Sequence, residues 1–278
     1  MTAAVSQLVA SDDRIVFLEF PSQDFADGLG CDYDLMVSWE ERLAREASFF
    51  SRLFAESGAR RILDAACGTG MHVIAFARAG RECTGADLSP VMVEKARQNA
   101  RDAGVPARFE VAGFGELKSR VGGLFDAVTC IGNSLPHLLD DETLRTCLAD
   151  FAALLVPGGI LVIQNRNYDR LLQERQRFMP PVSRVEGEGE TLFLRITEYP
   201  PAGAAEDEAI DFTLLTLRKR SGAWKMQTQN TPLRAMRRST LESGLTRAGF
   251  TAVRSYGSYG FADFDPAGSG DLVIVAAR

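Results

Sequence analysis

The chain has 278 residues, 46% hydrophobic and 24% charged, with a formal net charge of −6. Those values suit one large globular domain, or a domain carrying an insertion. An acidic balance without a long Lys/Arg run argues against gripping phosphate backbones, and no apolar run nears the roughly 18 residues of a membrane span.

Residues 1–30 mix polarity and read as an arm or lid. The opening "MTAAVSQLVASDD" has neither a basic start nor an apolar core, so no signal peptide is expected. The five cysteines, Cys31, Cys67, Cys83, Cys130 and Cys147, show no C-x-x-C and no close even spacing. That points to reduced thiols rather than a disulfide frame or a zinc site, and the default is a cytoplasmic protein without a metal. From Ser38 to Glu56, Trp39, Leu43, Phe50, Leu53 and Phe54 fall on roughly one helical face, and Gly58 marks a stop.

An alternation follows. Strands are predicted at 61–66, 82–87, 107–112, 125–131 and 160–164, with helices at 71–80 and 89–104 and a helix with its stop at 141–159 between them. The second helix is well punctuated: Ser89 can cap it, Pro90 fits its first turn and Gly104 ends it. Strands separated by helical segments of about 10–15 residues mean βαβ units and a parallel sheet. From about 182 to 232 the helical period disappears. "TLFLRITEY", "AIDFTLLTLRKR" and "AWKMQTQN" alternate apolar and polar residues and read as inserted antiparallel strands. The α/β rhythm then returns with "STLESGLTRAGF", where Ser239 and Glu242 form a capping-box pattern, and with two last strands in "TAVRSYG" and "DLVIVAAR".

"LDAACGTGMHV" is a strand, a glycine turn and a helix. Gly68 and Gly70 allow close backbone approach to a ligand at a helix N-terminus. Position 73 is Val73, so the dinucleotide fingerprint G-x-G-x-x-G is absent, and an ordinary βα turn explains a bare G-x-G about as well. Asp64 closes the first strand and Asp87 the second. Asp87 could accept two ribose hydroxyls or cap the next helix, although Ser89 already fits the cap. Val91 and Met92 suit either an adenine face or the core.

Together, "LDAACGTG", "ADLSPVM", "FDAVTCIGNS" and "LVPGGILVI" resemble the successive motifs of class I S-adenosylmethionine-dependent methyltransferases, in order, from about Arg61 to Tyr168. The resemblance implies a Rossmann-like α/β fold, with a mostly parallel seven-stranded sheet, helices on both faces and an inserted antiparallel β subdomain. It divides the chain into an arm (1–36), a cofactor-binding core (37–181), the insertion on the substrate side (182–232) and a C-terminal completion of the core (233–278). S-adenosyl-L-methionine is the implied cofactor and S-adenosyl-L-homocysteine the product. Ala66, Gly68 and Gly70 would wrap the methionine part and Asp87 the ribose. Leu88, Met92, Gly113, Phe114, Ile131 and His137 would line the remainder. "YDLMVSWEERLARE" resembles the helix closing over the cofactor, which assigns Arg42 to the methionine carboxylate and Tyr33 to the same site. A surface Arg is the plainer account of Arg42.

"CIGNSLPHL" sits at the carboxyl edge where open α/β sheets bind ligands. It lacks the aromatic residue and the second Pro that a base-flipping amino-methyltransferase would show. With "RNYD" after the fifth strand, it resembles the glycine and glycine/sarcosine N-methyltransferases. That resemblance implies Arg166 as the carboxylate clamp, Asn133 as its orienting partner, and Ser134 and Tyr168 as substrate neighbours. A guanidinium binds a carboxylate in bidentate fashion and so fixes a zwitterion by its non-reacting end. A salt bridge from Arg166 to Asp169 is the structural alternative. The expected function is N-methylation of glycine or a similar amino acid, by an enzyme that is a possible homo-oligomer. The alternatives are N- or O-methylation of another small metabolite, and cofactor binding without turnover.

Overall fold

The computed structural model of the chain describes residues 22–30, 32–187, 189–201 and 209–278. Residues 1–21 of the expected arm lie outside them. The described residues begin with α1 (Ser22–Leu29), α2 (Tyr33–Met36) and α3 (Trp39–Glu56). Ser38 caps α3 by accepting from the Glu41 N–H. Phe49, absent from the predicted apolar face, is fully buried, and its ring stacks on Phe261 and meets Tyr259 edge-on.

The α/β part runs β1 (Arg61–Asp64), α4 (Met71–Arg78), β2 (Glu82–Asp87), α5 (Pro90–Asp102), β3 (Arg108–Val111), α6 (Leu117–Arg120), β4 (Phe125–Cys130), α7 (Asp141–Leu154), β5 (Leu155–Arg166) and α8 (Tyr168–Glu174). Four strands, β6 (Val182–Glu186), β7 (Gly189–Glu198), β8 (Ile210–Arg220) and β9 (Ala223–Leu233), form an antiparallel sheet of their own. The chain then supplies α9 (Arg238–Arg247), β10 (Thr251–Tyr256) and β11 (Asp271–Ala277). The large sheet has the order β10-β11-β5-β4-β1-β2-β3, with β11 antiparallel to both neighbours.

The strands are apolar on both sides because both faces are covered. Leu63, Val128, Leu161 and Ile274 pack with Leu148 and Phe151 of α7 and Leu241 of α9. Their neighbours Ile62, Ala127, Val162 and Val273 pack with α3, α4 and α5.

Most ends shift by a residue or two, and at β5 and α9 the structure departs further from the sequence expectation. Of the helix and stop expected over 141–159, the helix ends at Leu154. Phe125 pairs with Leu155 and Ala127 with Ile160, so "VPGG" is an excursion inside β5, with Gly158 at φ 76°. The fifth strand, expected over 160–164, continues to Arg166, because β11 pairs with it in register through Arg166–Asp271 and satisfies its backbone there. The capping box at Ser239 does not form. α9 starts at Arg238, and the Asp169 carboxylate accepts from the Arg238 N–H at 3.1 Å, doing the work of a cap from another helix.

Candidate active site

The carboxyl ends of β1, β2, β4 and β5 open into a cavity of about 650 Å³. Its other walls are α1–α2 and the inner face of the four-stranded sheet. Ala66, Gly68, Asp87, Leu88, Met92, Gly113, Phe114, Ile131, Asn133, Ser134, His137, Arg166, Tyr33 and Arg42 all line it. Gly70 and Tyr168 do not. Gly70 (φ 84°) starts α4, and a Cβ there would stand 3.0 Å from Ala96 and Phe109, so its place is in the turn. Tyr168 is buried behind Asn133.

At the nucleotide end, Asp87 accepts from the Gly68 N–H at 2.8 Å and the Ser89 N–H at 3.0 Å. Ser89 caps α5 by accepting from the Met92 N–H at 3.1 Å, which frees Asp87 from that task. Burial raises the Asp87 pKa, and the two N–H groups oppose the rise.

Arg42 reaches the loop after β4: its Nη2 is 3.5 Å from where a Cβ on Gly132 would stand. Behind it, Glu46 accepts from Arg42 Nε at 3.0 Å and faces His72 Nε2 at 2.6 Å. Burial pushes the Glu46 carboxyl up, but His72 and Arg42 outweigh it and hold it below its ordinary value.

Asp64, below this cluster, is 1% exposed. Its Oδ1 accepts from Thr129 Oγ1 at 3.0 Å and its Oδ2 has no partner. Burial pushes its pKa up to about 6. The folded state therefore holds this proton more tightly than the unfolded chain, and stability falls as pH rises from the ordinary carboxylate value through about 6. Asp64→Asn should remove that loss and stabilise the protein at pH 8 by about 2–3 kcal/mol, with little change at pH 4. Urea unfolding across that range measures it, and an equal effect at both pH values would refute it.

At the other end, Asn133 adopts φ 66° after Gly132 at φ 86°. Its Oδ1 accepts from the Arg166 N–H at 3.0 Å and its Nδ2 donates to the Tyr168 hydroxyl at 3.1 Å. Gly132 N–H donates to Gln164 Oε1 at 2.8 Å. The loop after β4 is thereby tied to the end of β5. Arg166 makes no ion pair among the described residues, and Asp169 is engaged with α9 instead. His137 lies 3.4 Å from Thr231 Oγ1, and burial lowers its pKa to about 4, so its imidazole is neutral at pH 7.

Sequence reasoning missed the opposite wall. Arg195 of β7, Phe212 and Leu214 of β8, and Thr231 and Leu233 of β9 all line the cavity. Register places Arg195 beside Leu214 and Phe212 beside Thr231, so these residues share one face. The period-2 pattern carried that signal, but which face turned inward was not written in it. α1 and α2 add Phe25, Leu29 and Met36. They are held by Asp34, which accepts from Thr69 Oγ1 at 2.5 Å and Asn99 Nδ2 at 3.2 Å, and by the Arg218–Asp32 ion pair.

This architecture and site define a class I S-adenosylmethionine-dependent methyltransferase fold. Residues 62–159 match the family model of a methyltransferase domain. The chain is similar to the glycine/sarcosine N-methyltransferase of Parasynechococcus marenigrum, 41% identical over 151 residues, which are 54% of this chain and 52% of that protein. It is also similar to the glycine N-methyltransferase of Rattus norvegicus, 37% identical over 142 residues, 47% of this chain and 48% of that one. It thus spans about half the length of the curated relatives it matches. Over almost the whole chain its fold matches solved structures at low identity. One is an S-adenosylmethionine-dependent methyltransferase from Clostridium acetobutylicum (TM-score 0.72, 16% identity, 91% of this chain and 97% of that one). Another is an amino pentose methyltransferase from Micromonospora echinaspora with S-adenosylmethionine bound (TM-score 0.68, 20% identity, 96% and 100%).

The donors and acceptors present fit that cofactor. Asp87 keeps free lone pairs for ribose hydroxyls, Arg42 offers a guanidinium to a carboxylate, and Gly68 leaves the backbone approachable. Among the described residues no helix is long and apolar enough to cross a membrane, and no His/Cys/Asp/Glu group is placed to hold a metal ion.

Proposed function

We propose that the protein transfers a methyl group from S-adenosylmethionine to the amine of a small amino acid. Asp87, Gly68, Ala66 and Arg42 hold the cofactor, with Leu88, Met92, Gly113, Phe114, Ile131 and His137 around it. Arg166 binds the acceptor's carboxylate, Ser134 lines the acceptor side, and Tyr33 stands by Gly68 and Arg42 at the methionine end. The observation that carries this reading is the end of β5: Arg166 faces the cavity with no carboxylate partner among the described residues, beside a loop that takes a left-handed turn at Asn133. The similarity to proteins named for glycine N-methylation supports it.

When bound, S-adenosylmethionine supplies an electrophilic methyl group on sulfur. The protein's own work is placement. Asn133 spends its amide on the Arg166 N–H and the Tyr168 hydroxyl, so it positions Arg166. Arg166 fixes the acceptor by its non-reacting end, leaving the amine toward the cofactor. The amine must be neutral to attack, and a largely apolar cavity favours that form by desolvation.

Arg166→Ala should raise the KM for the amino acid by about a hundredfold, the scale of a lost charge-assisted pair, and leave the cofactor's Kd within about twofold. S-adenosylhomocysteine release and calorimetry measure the two. An unchanged KM would remove the clamp. A second reading, methylation of a larger amine, is favoured by the apolar wall of Phe212, Leu214 and Leu233. Release of S-adenosylhomocysteine over amino acids, alkyl amines and phenols separates the two readings from cofactor binding without turnover.

A further inference from the structure

Arg166 is not the single guanidinium at the acceptor end. Arg195 projects from β7 on the inner face of the four-stranded sheet, directly opposite Leu214, and lines the same cavity. One of its nitrogens, Nη2, donates to the Pro180 carbonyl at 3.0 Å. Its Nε is buried with no hydrogen-bond partner. Neither arginine has a carboxylate within ion-pairing distance among the described residues.

The acidic groups around them are engaged elsewhere. Glu198 pairs with Arg177 at 2.7 Å and Glu174 with Arg170 at 2.8 Å. Asp169 takes the Arg238 N–H at 3.1 Å. Asp271, across from Arg166 in the sheet, accepts from Gln164 Nε2 at 2.9 Å. Two positive side chains thus face one cavity, which Asp87 and Glu116 also line, and among the described residues no carboxylate is paired with either of them.

Such an arrangement is unfavourable in the free protein. Half-buried charges of like sign repel, and an unpaired buried N–H loses its hydration without compensation. The Arg195 pKa is lowered accordingly, first by burial and then by the charge of Arg166. A bound anion relieves both penalties. A single carboxylate neutralises one guanidinium and leaves the other uncompensated. An end group with two negative charges balances the pair.

We infer that Arg166 and Arg195 form a two-guanidinium clamp, and that the preferred methyl acceptor is an amine with a doubly charged anionic end, an aminodicarboxylate or an aminophosphonate. This inference rests on the proposed amine methylation for its turnover, but not for its binding. Arg195 is a specificity residue: it selects which anion is held, while Arg166 holds any carboxylate.

The test compares glycine, aspartate, aminomethylphosphonate and ethylamine on the whole protein. Both S-adenosylhomocysteine release and calorimetric binding in the presence of S-adenosylhomocysteine are measured. Aspartate or aminomethylphosphonate should bind about tenfold more tightly than glycine, and which of the two wins identifies the anion. Arg195→Gln should abolish that preference while the cofactor's Kd stays unchanged, and Arg195→Lys should restore part of it. Unchanged cofactor binding shows that the variants are folded. If the dianions bind more tightly in an Arg195-dependent way but only ethylamine is methylated, the clamp stands and the amino-acid reading falls. If the wild-type protein does not favour the dianions, or Arg195→Gln keeps the preference, the clamp is overturned whatever is methylated.

Discussion

Glu46→Ala is expected to destabilise the fold by about 3–5 kcal/mol, the scale for removing one partner of a buried ionic cluster. Glu46 is 1% exposed, and its two oxygens serve three side chains: Arg42 at 3.0 Å, Arg45 at 3.3 Å and His72 at 2.6 Å. Arg45 is 65% exposed and can turn to water. Arg42, on α3 itself, and His72, on the neighbouring α4, cannot, because their side chains are only 15% and 6% exposed. The loss therefore lies less in the removed attraction than in the groups left behind. Glu46→Gln keeps the shape and one acceptor and should lose less. Urea unfolding at pH 7 ranks the two, and a Glu46→Ala protein as stable as wild type would show the cluster to be neutral. Arg42 would also lose the partner that aims it at Gly132, so cofactor affinity should fall alongside stability.

Asp87→Ala is expected to weaken cofactor binding by about a hundredfold or more, through the loss of two charge-assisted acceptors. Its carboxylate holds the Gly68 N–H at 2.8 Å and the Ser89 N–H at 3.0 Å. Without it the glycine turn is no longer fixed to the end of β2, and a ribose loses its acceptors. The fold should survive, because Ser89 still caps α5. Calorimetric titration with S-adenosylhomocysteine, with circular dichroism as a control, reads the result. Retained affinity in a folded variant would place the ribose elsewhere.

The nucleotide half of the molecule was legible in the sequence because its signals are local. Ser89 and Pro90 announce α5, and Asp87 announces the strand end before it. The continuous apolar run "ILVI" announces a strand covered on both faces. The boundaries that failed depended on distant partners. Nothing near Gln164 says that β11, about a hundred residues later, will extend β5 to Arg166. Nothing near Ser239 says that Asp169 will cap α9 and leave the capping box unused. The acceptor half was legible only where it lies on the parallel sheet. Arg195 belongs to a strand whose alternation is plain, but its inward face is chosen by packing against α1, α2 and α5.

The antiparallel strand β11 has a consequence for how the site is made. It lies between β10 and β5, so β5 has an open edge until β11 is synthesised. The Gln164–Asp271 hydrogen bond spans 107 residues. At about 5–20 residues per second, translation takes roughly 5–20 s to cover that distance. During that time Leu161, Val162 and Ile163 leave one edge unpaired, and Arg166 lacks its pairing with Asp271. The nucleotide-binding loops can form while the chain is still growing, whereas the acceptor end waits for one of the last strands to be inserted.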